Sequence, residues 1–133
     1  MGRRQAGMSL IEVLVAILVF SYGVLGMVGL QAQAVKMSAE SEDRARAALM
    51  ANEIVSQMWM SRATTLPQAT IDAWVARLQN PAVSGLPSAT GTIGTPTLID
   101  GVQVVQVTIQ WHSVTRTSSD TTQSKYITQV AMP

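Results

Sequence analysis

The sequence predicts an α+β chain in which one long N-terminal helix packs on a small antiparallel sheet. Three observations predict it. Val13 to Leu30 is an almost unbroken apolar run. No proline follows until Pro67, and over that distance the apolar residues pass from all-round to one-face helical spacing. Beyond Asn80-Pro81 the composition turns to Gly, Ser, Thr and Pro, and then to alternating β-branched residues.

The chain has 133 residues, enough for one domain, with 47% hydrophobic and 13% charged residues. There is no cysteine, which excludes a disulfide framework and a thiol nucleophile. The lone histidine, His112, leaves little for metal binding or general-base chemistry. No cofactor and no metal is expected. The net charge of +1 would become −1 if Arg3 and Arg4 were removed with a leader, so bulk charge argues neither for nor against nucleic acid.

Residues 1–7 are short and polar and read as a leader. From Met8 to Leu30 a helix would be about 34 Å long at about 1.5 Å per residue. That spans a hydrocarbon core of about 30 Å. Arg3 and Arg4 predict an N-terminus that stays in the cytoplasm and a remainder that lies outside. A conventional secretory signal is the alternative, and Ala32-Gln33-Ala34 supplies a small-x-small site for it. Against it stand the length of the apolar run, beyond the usual ~7–15 residues, and the position of Glu12 at its head. An ionisable residue in such a segment costs roughly 2.5–3.5 kcal/mol at the membrane centre, less near the interface, and marks function by default.

The stretch Gly7-Met8-Ser9-Leu10-Ile11-Glu12-Val13-Leu14-Val15-Ala16 resembles the class III signal of type IV pilins and pseudopilins. The resemblance implies cleavage by a prepilin peptidase between Gly7 and Met8, then N-methylation of Met8, with Glu12 as the fifth mature residue. Methionine stands where the family usually has phenylalanine. A new α-amino group titrates near about 7.7–8.0, and methylation would keep it cationic. An amine and a carboxylate in apolar surroundings need partners. In the family the glutamate neutralises the amine of a neighbouring subunit during assembly, which would favour correct axial register. The plainer reading of Glu12 is a membrane-interface acid bonded to its own helix N-terminus.

Gly23, Gly26 and Gly29 follow at three-residue spacing. Each weakens a soluble helix by about 1 kcal/mol relative to alanine. They read either as a segment that unwinds or extends on entry into a filament, or as a close-packing face for a neighbouring helix.

Past Leu30 the helix continues as an amphipathic one. Ala47, Met50, Ala51, Ile54 and Met58 form one face, and Met50, Met58 and Met60 read as core. Glu40 with Arg44 and Glu42 with Arg46 are acid-before-base pairs four apart, which suits an exposed face. One helix from about Ser9 to about Ala63 would be some 80 Å long. A short amphipathic helix over Thr70–Leu78 buries positions 71, 74, 75 and 78 and stops at Asn80-Pro81. Pro81 to Pro96 reads as a loop with a short strand near Thr92-Ile93, and Asp100-Gly101 as a turn. Val102 to Trp111 is the clearest strand, with Val104-Val105 read as a bulge. Residues 113–123 form a polar loop, and Lys125 to Val130 a last strand. Trp111 shares a strand face with Val107 and Ile109, so it belongs to the core. A head of this size buries enough only by using the helix. The organisation is therefore a leader at 1–7, a transmembrane and assembly helix at 8–30, and a periplasmic head at 31–133.

Gly26-Met27-Val28-Gly29-Leu30-Gln31-Ala32-Gln33-Ala34, the Trp74 helix, the Gly-rich loop and the strand ending at Trp111 are similar to minor pilins of the PilV type, the type IV pilus modification proteins. That resemblance implies a non-enzymatic, low-abundance subunit that helps start or cap type IV pilus assembly. Its partners would be other minor pilins, the major pilin, the prepilin peptidase and the inner-membrane assembly platform. It would reside in the bacterial inner membrane and then in the pilus, at the tip in one version. A type II secretion pseudopilin shares the same signal and fold. A DNA-binding minor pilin would draw on Lys36, Arg116 and Lys125, but three scattered cations make no basic stripe. A secreted enzyme lacks any partner for His112 that would form a triad.

Overall fold

The computed structural model describes residues 8–113 and 123–132, the side chains of Met8 and Ser9 excepted. The leader at 1–7, with Arg3, Arg4 and Gly7, lies outside the described residues, as does most of the polar loop, 114–122 with Arg116. The chain divides into two compact units, Met1–Ser38 and Ala39–Pro133.

Helix α1 runs Met8–Ser61, within two residues of the expected ends. In the first unit every described side chain, from Leu10 to Ser38, is exposed. In the second unit the same helix has an inside. Ala47, Ala51, Ile54 and Met58 are fully buried, at spacings of four, three and four that keep one stripe in register with the 3.6-residue turn. Met50 is half-buried against that stripe. Met60, expected in the core, is instead 77% exposed. It stands two residues beyond Met58, about 200° round the helix, so the two cannot share a face.

Helix α2, Gln68–Gln79, begins after Pro67, whose carbonyl accepts from the Thr70 N–H at 2.9 Å. Trp74 and Leu78 are its buried residues, with Ile71 and Val75 packed at the margin. Trp74 Nε1 donates to the Met50 carbonyl at 2.9 Å, and Arg77 pairs with Glu53, so α2 is tied to α1 by two polar contacts. Asn80 ends α2 and caps the next helix. Its Oδ1 accepts from the Ala82 N–H at 3.1 Å, and Pro81 occupies the first turn. The four-residue helix α3, Pro81–Ser84, therefore occupies what the sequence reads as loop. Gly85 closes it in the left-handed region (φ 68°), its N–H on the Pro81 carbonyl.

Strands β1 (Thr90–Ile93), β2 (Thr97–Ile99), β3 (Val102–Trp111) and β4 (Ser124–Met132) form one antiparallel sheet. β3 is central. β4 pairs along it from Gln103↔Met132 to Trp111↔Ser124, while β1 pairs with residues 107–110 and β2 with residues 102–104. A strand has two sides, so β1 and β2 must share the side that β4 leaves. The pairing with β4 is unbroken, and this corrects the expected bulge at Val104-Val105. Val104 simply points to the outer face, half-buried, while Val105, Val107, Ile109 and Trp111 alternate into the core. β2 was not expected. It forms the hairpin partner of β3 through Asp100 (φ 50°) and Gly101 (φ 82°), the two left-handed residues of a tight two-residue turn.

The inner face of the sheet joins Val130 and Met132 of β4 to that β3 stripe, over the buried stripe of α1 and the Trp74–Leu78 face of α2. Fully burying one such aliphatic side chain is worth about 1.5–3 kcal/mol, which makes this cluster the main source of stability. Gly91 of β1 sits opposite Ile109 on the inner face. A Cβ there would lie 2.4 Å from the Trp74 ring, so the ring fills the space that a side chain would need.

Candidate functional site

Any functional reading of the first unit starts from its lack of an interior. The segment is long and apolar enough to cross a membrane, and none of it is buried inside the chain. Phe20 is 72% exposed and Leu30 74%. In water, apolar surface of this extent is unfavourable at roughly 25 cal/mol per Å². Lipid or neighbouring helices remove that cost. The backbone asks for nothing more, because a helix bonds its own N–H and C=O groups internally. Even Ser21 is satisfied locally, its hydroxyl donating to the Ile17 carbonyl at 2.7 Å.

Met8 is the first residue of α1. Glu12 stands four residues on, one turn along the same face, and is exposed. Side chains on a helix tilt toward its N-terminus, so the Glu12 carboxylate points toward the end where cleavage would create an amine. Gly7 lies outside the described residues. Gly23, Gly26 and Gly29 are all helical, and a Cβ at any of them would meet nothing within 4 Å. Among the described residues nothing requires glycine at these three positions.

The head offers a different set of groups. Its groove of about 460 Å³ is lined by Arg46, Leu49, Met50 and residues 81–85. Arg46 is held there by two acceptors, Glu42 one turn back on α1 and the Gly85 carbonyl. Ser84, buried beside it, donates to the Asn80 carbonyl and accepts from the Leu86 N–H, which is a structural role at the α3 end. His112 is exposed, and its backbone N–H donates to the Pro87 carbonyl. Among the described residues no group of three His, Cys, Asp or Glu side chains could hold a metal ion. Of the cations considered for DNA, Lys36 belongs to the first unit, Lys125 to β4 in the second, and Arg116 lies outside the described residues.

Sequence reasoning missed several polar groups. Asp43, one turn before Ala47, is 7% exposed, and its Oδ2 has no hydrogen-bond partner among the described residues; Trp111 Nε1 is likewise buried and unpartnered. Asp43 stands among the charged residues of 40–46. Only its spacing of four from Ala47 could have placed it on the buried stripe. Thr64 Oγ1 donates to Gln103 Oε1, which joins the segment after α1 to the start of β3, a contact across 39 residues that no local pattern announces.

A family model, the prokaryotic N-terminal methylation motif, matches residues 2–28. No curated protein and no solved structure matched the chain. The matched motif marks type IV pilin-like proteins. The long apolar N-terminal helix and the small antiparallel four-stranded sheet are consistent with the α+β fold of type IV pilins. Such proteins are structural rather than catalytic. The motif implies a prepilin peptidase substrate in a pilus system, and with the apolar helix it is consistent with membrane anchoring and pilus incorporation.

Proposed function

We propose that this chain is a minor pilin of the PilV type that helps start or cap a type IV pilus. A prepilin peptidase removes residues 1–7 by cutting between Gly7 and Met8 and methylates the Met8 amine. Residues 8–30 hold the chain in the inner membrane, and residues 31–133 form the periplasmic head. On entry into the filament, Glu12 neutralises the methylated amine of a neighbouring subunit. An acid one turn from a cationic N-terminus loses less by leaving water if both groups are paired, and a slipped register would leave one of them bare. Gly23, Gly26 and Gly29 serve contacts or a change of conformation made only among subunits. Other minor pilins, the major pilin and the assembly platform are the partners.

The observation that carries this reading is the methylation motif at residues 2–28, heading a helix whose described side chains from Leu10 to Ser38 are all exposed. The test is deletion of the gene, scored for surface pili, twitching, and the processed forms of the other pilins. Loss of pili supports the reading. Normal pili with loss of protein secretion would make the chain a type II secretion pseudopilin, which carries the same signal.

A further inference from the structure

The head's part of α1 is anchored by different chemistry along its length. Ala47, Ala51, Ile54 and Met58 are apolar anchors and fully buried. Residues 39–46 have no such anchor. Among the described residues the buried side chain in that stretch is Asp43, and Arg46 is half-buried. Arg46 reaches the Gly85 carbonyl at 2.9 Å and pairs with Glu42. The first two turns of the head's helix therefore rest mainly on polar groups.

Those polar groups are not all satisfied. Asp43 Oδ2 is buried without a hydrogen-bond partner among the described residues, and so is Trp111 Nε1. Both lie toward one end of the head. Arg46 holds Gly85, Pro87 two residues on accepts from the His112 N–H, and His112 follows Trp111. The opposite end is fixed by the bond between Thr64 and Gln103. A carboxylate oxygen accepts and an indole N–H donates, and water would supply a partner to each. Burying them unpaired works against the closed contact by the desolvation of each group. Opening the contact returns that free energy. From Ala51 on, opening would expose apolar surface with no such return.

We propose that the contact between residues 39–46 of α1 and the segment 84–87 is a latch that opens and closes while the core from Ala51 to Met58 stays shut, the buried Asp43 carboxylate setting how readily it opens. Local openings below the free energy of global unfolding are drawn from contacts with little buried apolar surface, and this is one. When the latch is open, the uncovered stretch of α1 runs to Arg46 instead of Ser38, and Asp43 and Arg46 face solvent. The device goes beyond the pilus assignment and does not rest on it.

The chain has no cysteine, so a single introduced thiol reports opening by its rate of chemical modification. Ser84→Cys places one at the latch and Ala51→Cys places one in the core, both at buried positions and both small changes. In the detergent-solubilised full-length protein the thiol at 84 is expected to react roughly tenfold faster or more than the thiol at 51. Its rate should change little in dilute urea, because a local opening exposes little surface, while the thiol at 51 waits for global unfolding and accelerates. Asp43→Leu removes the buried carboxylate and should slow the reaction at 84 roughly tenfold. Arg46→Met keeps the stem, loses the bond to the Gly85 carbonyl, and should speed it. If Asp43→Leu does not fold, Arg46→Met carries the comparison. Equal rates and equal urea dependence at 84 and 51 overturn the proposal. So does a rate at 84 indifferent to both substitutions, which would mean that the short helix α3 frays by itself, or a faster reaction in Asp43→Leu.

Discussion

Residues 10–38 and residues 39–132 treat apolar side chains in opposite ways. In the first unit Leu14, Leu18 and Leu25 are all more than half exposed. In the second, Ile54, Met58, Leu78 and Ile109 are completely buried. The two stretches share one helix and similar residue types. The difference is whether the chain supplies the other half of the contact. The head carries its own sheet and α2 to cover the stripe of α1. Among the described residues of the first unit none covers those side chains, an arrangement that suits lipid or neighbouring helices. A substitution in the head should therefore change stability. One in the first unit should leave the fold alone and change processing or assembly.

The largest effect is expected from Gly7→Val. A glycine lets the backbone approach a peptidase closely, and a β-branched residue there should abolish cleavage. Mass and N-terminal sequencing of the membrane fraction would show residues 1–7 retained. A wild-type chain that begins at Val35 would break the comparison at its root, because the apolar segment would then be a discarded signal.

Glu12→Val should leave the chain cleaved and membrane-inserted, since removing an acid eases insertion, but deplete it from sheared filaments relative to wild type. Equal incorporation would remove the charge-pair account of Glu12.

In the head, Trp111→Ala should cost about 3–5 kcal/mol, the range for truncating a large aromatic in a core. That is a large part of the about 5–10 kcal/mol a domain of this size has to lose. A sharply lower melting temperature by circular dichroism is the expected readout. Trp111→Phe should cost much less, because it also removes a buried N–H with no partner. An unchanged melt for the alanine variant would put Trp111 on the surface and reverse the face assignment of β3.

The glycines give the most direct test of the contrast. Gly91→Ala sets a Cβ 2.4 Å from the Trp74 ring, and forcing the ring aside should cost about 1–3 kcal/mol. Gly26→Ala meets nothing within 4 Å and should stabilise the isolated helix by about 1 kcal/mol. If Gly26→Ala nevertheless reduces incorporation into filaments, the need for glycine lies between subunits. If both substitutions are silent in every assay, the contrast fails for glycine.

The smallest effect should come from Glu53→Gln. Its pair with Arg77 joins α1 to α2, but the side chains are 35% and 43% exposed. Exposed pairs contribute about 0.2–1 kcal/mol, so the melting temperature should fall by little, and by less still in high salt.

Much of this organisation was legible in the sequence because its code is local. An unbroken apolar run, a 3.6-residue stripe and an alternating strand are properties of neighbours along the chain. Thus α1, α2, β3 and β4 could be placed to within a few residues, and Trp111 could be assigned to the core from its alternation with Val107 and Ile109. Strand β2 escaped because three residues are too short to show alternation, although the Asp100-Gly101 turn beside it signals a hairpin. Helix α3 escaped because Asn80-Pro81 both stops one helix and starts the next.

The sequence by itself determined the N-terminal motif, the apolar helix and the periodicity of the head, because each depends on residues a turn or two apart. Only the tertiary structure decided which of those residues meet. It put Asp43 inside, since burial depends on where the sheet and α2 cover the helix. It set the Trp74 ring against Gly91, joined Thr64 to Gln103 and Arg46 to the Gly85 carbonyl, and gave β4 the central strand β3 as its neighbour. Those outcomes depend on groups that are 17 to 39 positions apart in the sequence, and a distance of that kind exists only once the chain has folded.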